Sequence, residues 1–296
     1  MRVLLIGSDS SLGLALVHHL RRWGRHDVEL ISLAASRWKS ERQAKKAVRR
    51  ARADVLVDTR LQAAADSGEI VSDEDVERTH WLAKACQRSA GRHFLVSSAR
   101  VFSGLGERAR QEDDAPDSDE SVAQLIARAE EVVRSTCERH FILRLGPVFS
   151  HEGVNVLTHM LEQLLSGGTL QLGTARRGCP VEAADAARVI AGVIDQMSAG
   201  ADAFGNFHYC SSDVTTCYEF AEVLLASVSQ FTDFAPGSIQ LEVCEDDALE
   251  RNRSLRCQRL RDTFAIKQVP WRGFVADTVR LYFRHQQQQK QVSSHV

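Results

Sequence analysis

The stretch MRVLLIGSDSSLG, Met1–Gly13, decides the fold. Residues 2–6 (RVLLI) form a short apolar run closed by Gly7, as a strand buried in a parallel sheet requires. From Gly13 to Trp23 the spacing of Leu14, Val17 and Leu20 is helical. A strand, a glycine turn and a helix bring backbone N–H groups and a helix N-terminus to one point, a natural seat for a pyrophosphate. In Gly7-Ser8-Asp9-Ser10-Ser11-Leu12-Gly13 the outer glycines fit Gly-x-x-Gly-x-x-Gly, and Ser10 stands at the middle glycine. That position lets phosphate approach the backbone, so a Cβ and hydroxyl there hinder binding or reshape it. The hydroxyls of Ser8, Ser10 and Ser11 can themselves donate to phosphate. Gly7, Ser10, Ser11, Leu12 and Gly13 are therefore the candidate cofactor-binding residues, for NADP or NAD. Arg37 and Lys39 follow the second strand, where a cation meets a 2′-phosphate, which favours NADP; a solvated surface pair is the alternative.

Downstream, apolar runs at Val28–Leu33, Asp54–Val57, His93–Ser97 and Phe141–Leu145 alternate with helical segments Glu41–Arg52, Asp73–Ser89 and Ser121–Arg139. This alternation predicts an α/β chain with a Rossmann-like, doubly wound parallel sheet. Beyond Pro147, loops carrying Gly153, Gly167, Gly168 and Gly173 alternate with helices over 155–165, 182–197 and 216–229. A smaller α+β portion seated on the C-terminal ends of the strands fits that pattern. The expected organisation is a dinucleotide-binding domain over 1–150, to which later segments return, and a substrate-binding portion over 151–284. The low-complexity end, HQQQQKQVSSHV, reads as a disordered tail over 285–296.

The chain has 296 residues, 44% hydrophobic and 26% charged, ordinary values for a soluble globular protein. A formal net charge of −2 makes no global case for nucleic acid or an anionic membrane as partner. No segment approaches the roughly 20 apolar residues of a spanning helix, so a cytoplasmic protein is expected. Seven scattered cysteines without a Cys-x-x-Cys pair read as reduced, buried small hydrophobes, and no metal site is expected. The basic helix with Lys45, Lys46, Arg49, Arg50 and Arg52 reads as a solvated face, with a polyanion or partner site as the alternative.

LVSSARVFSG (Leu95–Gly104) resembles the S-[ST]-D-Y-V-F-D-G stretch of the dTDP-4-dehydrorhamnose reductase family, a group of extended short-chain dehydrogenases that also holds the regulatory β subunit of methionine adenosyltransferase. EDDAP (112–116) resembles the acidic loop before that family's catalytic helix, and ILRLGPVFS (142–150) the strand carrying a substrate-side arginine. Gly178, Pro180 and Asp185 fit G-x-P-x-x-x-x-D, and RNRSLRCQRLRDTFAI with Pro270-Trp271-Arg272 fits the C-terminal signature. The resemblance implies hydride transfer from NAD(P)H to a keto-sugar nucleotide, with a tyrosine as acid, a lysine lowering its pKa and a Ser or Thr steadying the carbonyl oxygen. It places Ser98 at the hydroxyl position and puts Arg144, Asn155, Arg176 and Arg251 on or near positions lining the nucleotide-sugar pocket, where arginines clamp a diphosphate.

Tyr-x-x-x-Lys itself is absent. The tyrosines are Tyr209, Tyr218 and Tyr282, followed four residues on by Asp213, Glu222 and Gln286, and no lysine lies between Lys84 and Lys267. With Glu130 aligned to the glutamate closing the family motif, Val122 takes the tyrosine position and Ile126 the lysine position, and a frame shifted by one gives Ala123 and Ala127; none of these moves a proton. Arg100 also replaces a family tyrosine, and Asp58-Thr59-Arg60 replaces the Asn and small residues beside the cofactor. Three readings stay open: a binding or regulatory member sensing a nucleotide or nucleotide-sugar, alone or with a protein partner or as a homo-oligomer; an NADPH-dependent reductase with a displaced acid, from the 112–120 loop, His80 or a water on Ser98; or a pure interaction module.

Overall fold

The computed structural model describes residues 1–234, 238–244 and 250–293, with all their side chains except those of residues 290, 292 and 293. Five strands open the chain: β1 Arg2–Ile6, β2 Asp27–Ile31, β3 Val55–Asp58, β4 Arg92–Ser98 and β5 His140–Leu145. Between them lie α1 Ser11–Trp23, α2 Glu41–Ala51, α3 Arg60–Ser67, α4 Asp73–Arg88 and α5 Ser121–Thr136. Short strands β6 Val148–Phe149, β7 Gly168–Gly173, β8 Arg176–Gly178 and β9 Val181–Glu182 come next, with helices α6 Val156–Ser166 and α7 Ala183–Ser198. The remainder is β10 Gly205–Tyr209, β11 Thr215–Thr216, α8 Cys217–Val228, β12 Ile239–Cys244, β13 Arg251–Asn252, α9 Gln258–Phe264 and α10 Arg272–Ser293.

The main sheet runs β2-β1-β3-β4-β5-β10, each neighbouring pair parallel. It is the doubly wound Rossmann-like sheet expected. Ile6 lies beside Ile31 on one side and Asp58 on the other, so the chain turns to opposite directions on either side of β1. Ligands of such sheets bind outside the C-terminal strand ends at this switch point. Both faces are covered, which is why β1, β3 and β5 read as continuous apolar runs rather than alternating ones.

The segment after residue 150 divides its loyalties. Helix α7 packs on α1, joined by Asp195 to Arg25 at 2.9 Å and to His26 at 2.8 Å, and β10 becomes the sixth strand of the main sheet. A second core forms elsewhere, from Phe149, Leu157, Leu161, Phe220, Leu224, Trp271, Val275 and Val279.

The structure departs from the sequence reading in two places. Helix α3 comes directly after β3 where no helix was expected. The expected tail is helical as far as Ser293: Val279 and Tyr282 anchor α10 in the second core, and the glutamines beyond are good helix formers with no Gly or Pro among them. Residues 294–296 of that tail lie outside the described residues.

The glycine turn is closed by contact as much as by conformation. Gly7 has φ +82°, and a Cβ on Gly13 would lie 2.0 Å from the Gly7 carbonyl oxygen. Gly13→Ala must therefore part the turn; it is expected to cost roughly 1–3 kcal/mol, as overpacking does. The measurement is a lowered urea midpoint with an unchanged slope.

Candidate functional site

Ser10 caps α1. Its Oγ accepts from the Gly13 N–H at 3.0 Å and donates to the Gly7 carbonyl at 2.8 Å, so the hydroxyl that replaces the middle glycine is spent inside the turn. Thr59 closes the turn from beneath, its Oγ1 donating to the carbonyl of Ile6 at 3.0 Å. The first-turn N–H groups of a helix have no intrahelical acceptor. Ser11 and Leu12, at that first turn, line a cavity of about 250 Å³ together with Asp9 and Ser10. Residues of the second portion reach over it: Ser11 Oγ donates to the Glu152 carbonyl at 3.0 Å, and Gly153 and Val154 complete the wall.

Helix α3 shapes the rest of the cleft. It begins at a buried ion pair, Arg60 to Asp58 through two bonds of 2.9 and 2.8 Å, with Arg60 also donating to Thr79 at 3.0 Å. Burial alone pushes the Asp58 carboxyl up, and Arg60 overcomes it, leaving the group below the usual carboxylate range. His93, wholly buried nearby, is pushed down to about 4 by burial and stays neutral. From this anchor α3 walls three adjoining spaces. One, about 340 Å³, contains Arg37, Leu33 and Arg60; the second is the cavity at the glycine turn; the third, about 290 Å³, contains Ser98. The first two share Leu33, Arg60, Ala64 and Glu69, and the last two share Asp66, so the three spaces follow one another along α3.

The third space is rich in guanidinium groups. Arg100, Arg176, Arg177 and Arg253 line it with Ser98, Val148, Thr216, Cys217 and Phe220. Glu120 pairs with Arg253 and, at 3.1 Å, with Arg100. Burial raises the Glu120 carboxyl, and those two arginines more than reverse it, so it remains ionised. Arg177 reaches Glu250 only at 3.9 Å, and Arg176 has no ion pair among the described residues. Asp66 is the remaining charge-bearing group here, and burial pushes its carboxyl up to about 8, against the pull of the Val148 N–H and Arg100.

The candidate residues divide sharply. Gly7, Ser10, Ser11, Leu12 and Gly13 meet at the turn, Arg37 stands exposed at the far end of the groove, and Ser98 and Arg176 share the third space. Arg144 is a correction. It is 0% exposed and bound to Glu130, also 0% exposed, at 2.7, 3.0 and 3.2 Å; it sits under the sheet end and faces no ligand. Asn155 is a second correction. Its Oδ1 accepts from the N–H groups of Leu157 and Thr158, capping α6, and its Nδ2 donates to the carbonyls of Glu152 and Gly153, so its side chain is consumed locally. Arg251 donates to the Ser103 carbonyl at 3.2 Å and lines a separate 90 Å³ cleft, and Arg253, two residues on, takes the place in the groove. Ile126 is wholly buried in the main core and Val122 packs against it. Asp66, Arg177, Arg253 and Thr216 were missed. Arg253 was within reach, because alternate residues of an extended segment share a face; Asp66 had no signal, since the helix carrying it was not expected.

The fold and its adjoining cavities define a Rossmann-like α/β protein with an open cleft at the switch point of its sheet. Comparison gives the family: the model of the RmlD substrate binding domain matches residues 1–283, and the chain belongs to that family. It is 25% identical over 287 residues to the dTDP-4-dehydrorhamnose reductase of Sinorhizobium fredii, covering 92% of this chain and 94% of the relative. It is 22% identical over 228 residues to the spore coat polysaccharide biosynthesis protein SpsK of Bacillus subtilis, covering 76% and 78%. Among solved structures, a dTDP-4-dehydrorhamnose reductase from Clostridium acetobutylicum superposes with a TM-score of 0.79 at 17% identity, over 95% of this chain and 99% of the other. The Bacillus anthracis enzyme, solved in complex with NADP, gives 0.78 at 16% identity, over 94% and 98%. Among the described residues no helix is long and apolar enough to cross a membrane.

Because Arg144 neutralises a buried carboxylate, Arg144→Ala is expected to cost about 3–5 kcal/mol, as removal of one partner of a buried pair does. Urea unfolding checks this. Arg176→Ala, on an exposed strand, is expected to leave the same midpoint within about 0.5 kcal/mol.

Proposed function

We propose that this chain holds a nicotinamide dinucleotide and a nucleotide-sugar end to end along the groove, in the cytoplasm, as a family member that has lost the tyrosine–lysine relay. The observation that carries this reading is the groove itself. Three cavities that share lining residues follow one another along α3, from Arg37 past the glycine turn to Ser98 and the arginines, and no tyrosine or lysine is among their lining residues. The turn suits a pyrophosphate because Ser10 directs its hydroxyl inward, leaving Ser11 and Leu12 at the helix start to meet the phosphates. Arg37 suits a 2′-phosphate, and Arg176, without a carboxylate partner, suits the diphosphate of a nucleotide-sugar. A bound dinucleotide would supply or accept hydride; this chain's residues position it and the sugar. Relatives named as dTDP-4-dehydrorhamnose reductases, one of them holding NADP, agree with both ligands. General acid catalysis contributes typically 10²–10⁴-fold, so loss of the relay leaves turnover slow. Ligand sensing, on behalf of a partner enzyme or within a homo-oligomer, is the role that impairment leaves. A second reading, a reductase whose acid comes from elsewhere, is favoured by one feature: the Asp66 carboxyl in the same cavity as Ser98.

NADPH or dTDP-4-dehydrorhamnose at about 100 times its Kd should stabilise the fold by about 2.7 kcal/mol. A thermal-shift series with NAD(H), NADP(H) and dTDP-sugars reads this directly; no shift with any of them would discard the reading. Arg176→Ala should weaken the dTDP-sugar, and not NADPH, by roughly 10- to 100-fold, the worth of a charge-assisted hydrogen bond. Installing the relay by Val122→Tyr with Ile126→Lys should fail. Position 126 is in the core, so the ammonium is buried unpaired at a cost of several kcal/mol, seen as a lowered urea midpoint with no gain in NADPH oxidation.

A further inference from the structure

We infer that Asp66 is the general acid of this groove, giving its proton to the oxygen of a carbonyl held beside Ser98. The inference rests on the reading that a dinucleotide and a keto-sugar nucleotide share the cleft. Asp66 is the residue common to the cavity at the glycine turn and the cavity at Ser98. Where two reactants enter from opposite ends, the residue at the junction stands by the reacting atoms.

The carboxyl is held with one oxygen committed. Oδ2 accepts from the Val148 N–H at 3.0 Å and from Gln62 Nε2, while Oδ1 takes no hydrogen bond among the described residues. Oδ1 is therefore the oxygen left open toward a ligand. The charged groups around it are Arg100 after β4, Arg176 and Arg177 on β8, Arg253 after β13, and Asp9, Arg60 and Glu69 toward the glycine turn. None makes an ion pair with it. Arg100 spends one guanidinium nitrogen on the Ala65 carbonyl at 2.8 Å and another on Glu120 at 3.1 Å. Burial then keeps the carboxyl protonated up to about pH 8, close to the operating pH at which an acid both holds and releases a proton. A carboxylic acid kept neutral by its site is a known way to serve an oxyanion.

The step balances. Asp66 gives its carboxyl proton to the carbonyl oxygen as the carbonyl carbon accepts a hydride from the reduced nicotinamide. The C=O π bond opens to an alcohol, the nicotinamide is oxidised, and the Asp66 carboxylate takes a proton back from water.

The test uses the full chain, with Asp66→Asn and Asp66→Glu. Infrared difference spectra between about pH 6 and pH 10 should show one carboxylic acid titrating near 8 in the wild type and none there in Asp66→Asn. Thermal shifts with NADPH and dTDP-4-dehydrorhamnose should be retained in both variants. NADPH oxidation should fall by about 10²-fold or more in Asp66→Asn. It should recover in part in Asp66→Glu, and the wild-type rate should decline as Asp66 ionises. Wild-type turnover in Asp66→Asn, or no turnover by a wild type that binds both ligands, overturns the assignment and leaves the binding reading intact. No thermal shift overturns both. If Asp66→Asn does not fold, a wild-type infrared spectrum without a carboxylic acid titrating near 8 overturns it alone.

Discussion

The Glu130–Arg144 pair is the contact on which the rest of the structure hangs. Two charges without solvent contact are costly to bury, and their separation is offset only when every donor and acceptor finds a partner. Here Arg144 gives two nitrogens to Glu130 and lies over the Phe102 ring at 5.0 Å; Glu130 also accepts from Ser97 at 2.6 Å. The pair thereby locks α5 to the ends of β4 and β5. Successive side chains of a strand point to opposite faces, so with Ser97 turned to Glu130, Ser98 is delivered to the cleft. An arginine that resembles a substrate ligand by its place in the strand is thus a structural group, and its work is to set the hydroxyl beside it.

A second anchor, Asp58–Arg60, shapes the other wall. Its bidentate geometry starts α3 directly from the end of β3, and α3 then carries Ala63, Ala64 and Ala65 along the groove. Small side chains keep the cleft open, while Gln62 and Asp66 provide the polar atoms. The charge around the third space is a balance: Glu120 pairs with Arg100 and Arg253, and Arg176 has no ion pair among the described residues.

The α5 positions that the family resemblance aligns with the tyrosine and lysine are packed rather than open. Ile126 belongs to the same buried layer as Ala129 and Val133, so the helix face that an acid and its lysine would occupy has been given over to the core. Helix α3 is the wall that lines both the cavity at the glycine turn and the cavity at Ser98.

Local chemistry was enough to read the parallel sheet, the glycine turn at Gly7–Gly13 and the absence of Tyr-x-x-x-Lys, because strand runs, turns and missing residue types are properties of neighbours along the chain. The groove was not legible in this way, since it exists only where residues distant in sequence converge: Ser11 with Glu152, Arg253 with Glu120, Asp66 with Val148. Burial is likewise a tertiary quantity. An arginine motif looks alike whether its charge faces a ligand or a buried glutamate, and only packing separated Arg144 and Asn155 from Arg176. The sequence by itself determined the scaffold and which catalytic pair is missing; the tertiary structure decided which charges are free to act, because solvent exclusion and partner geometry set that freedom and neither is written in the spacing of residues.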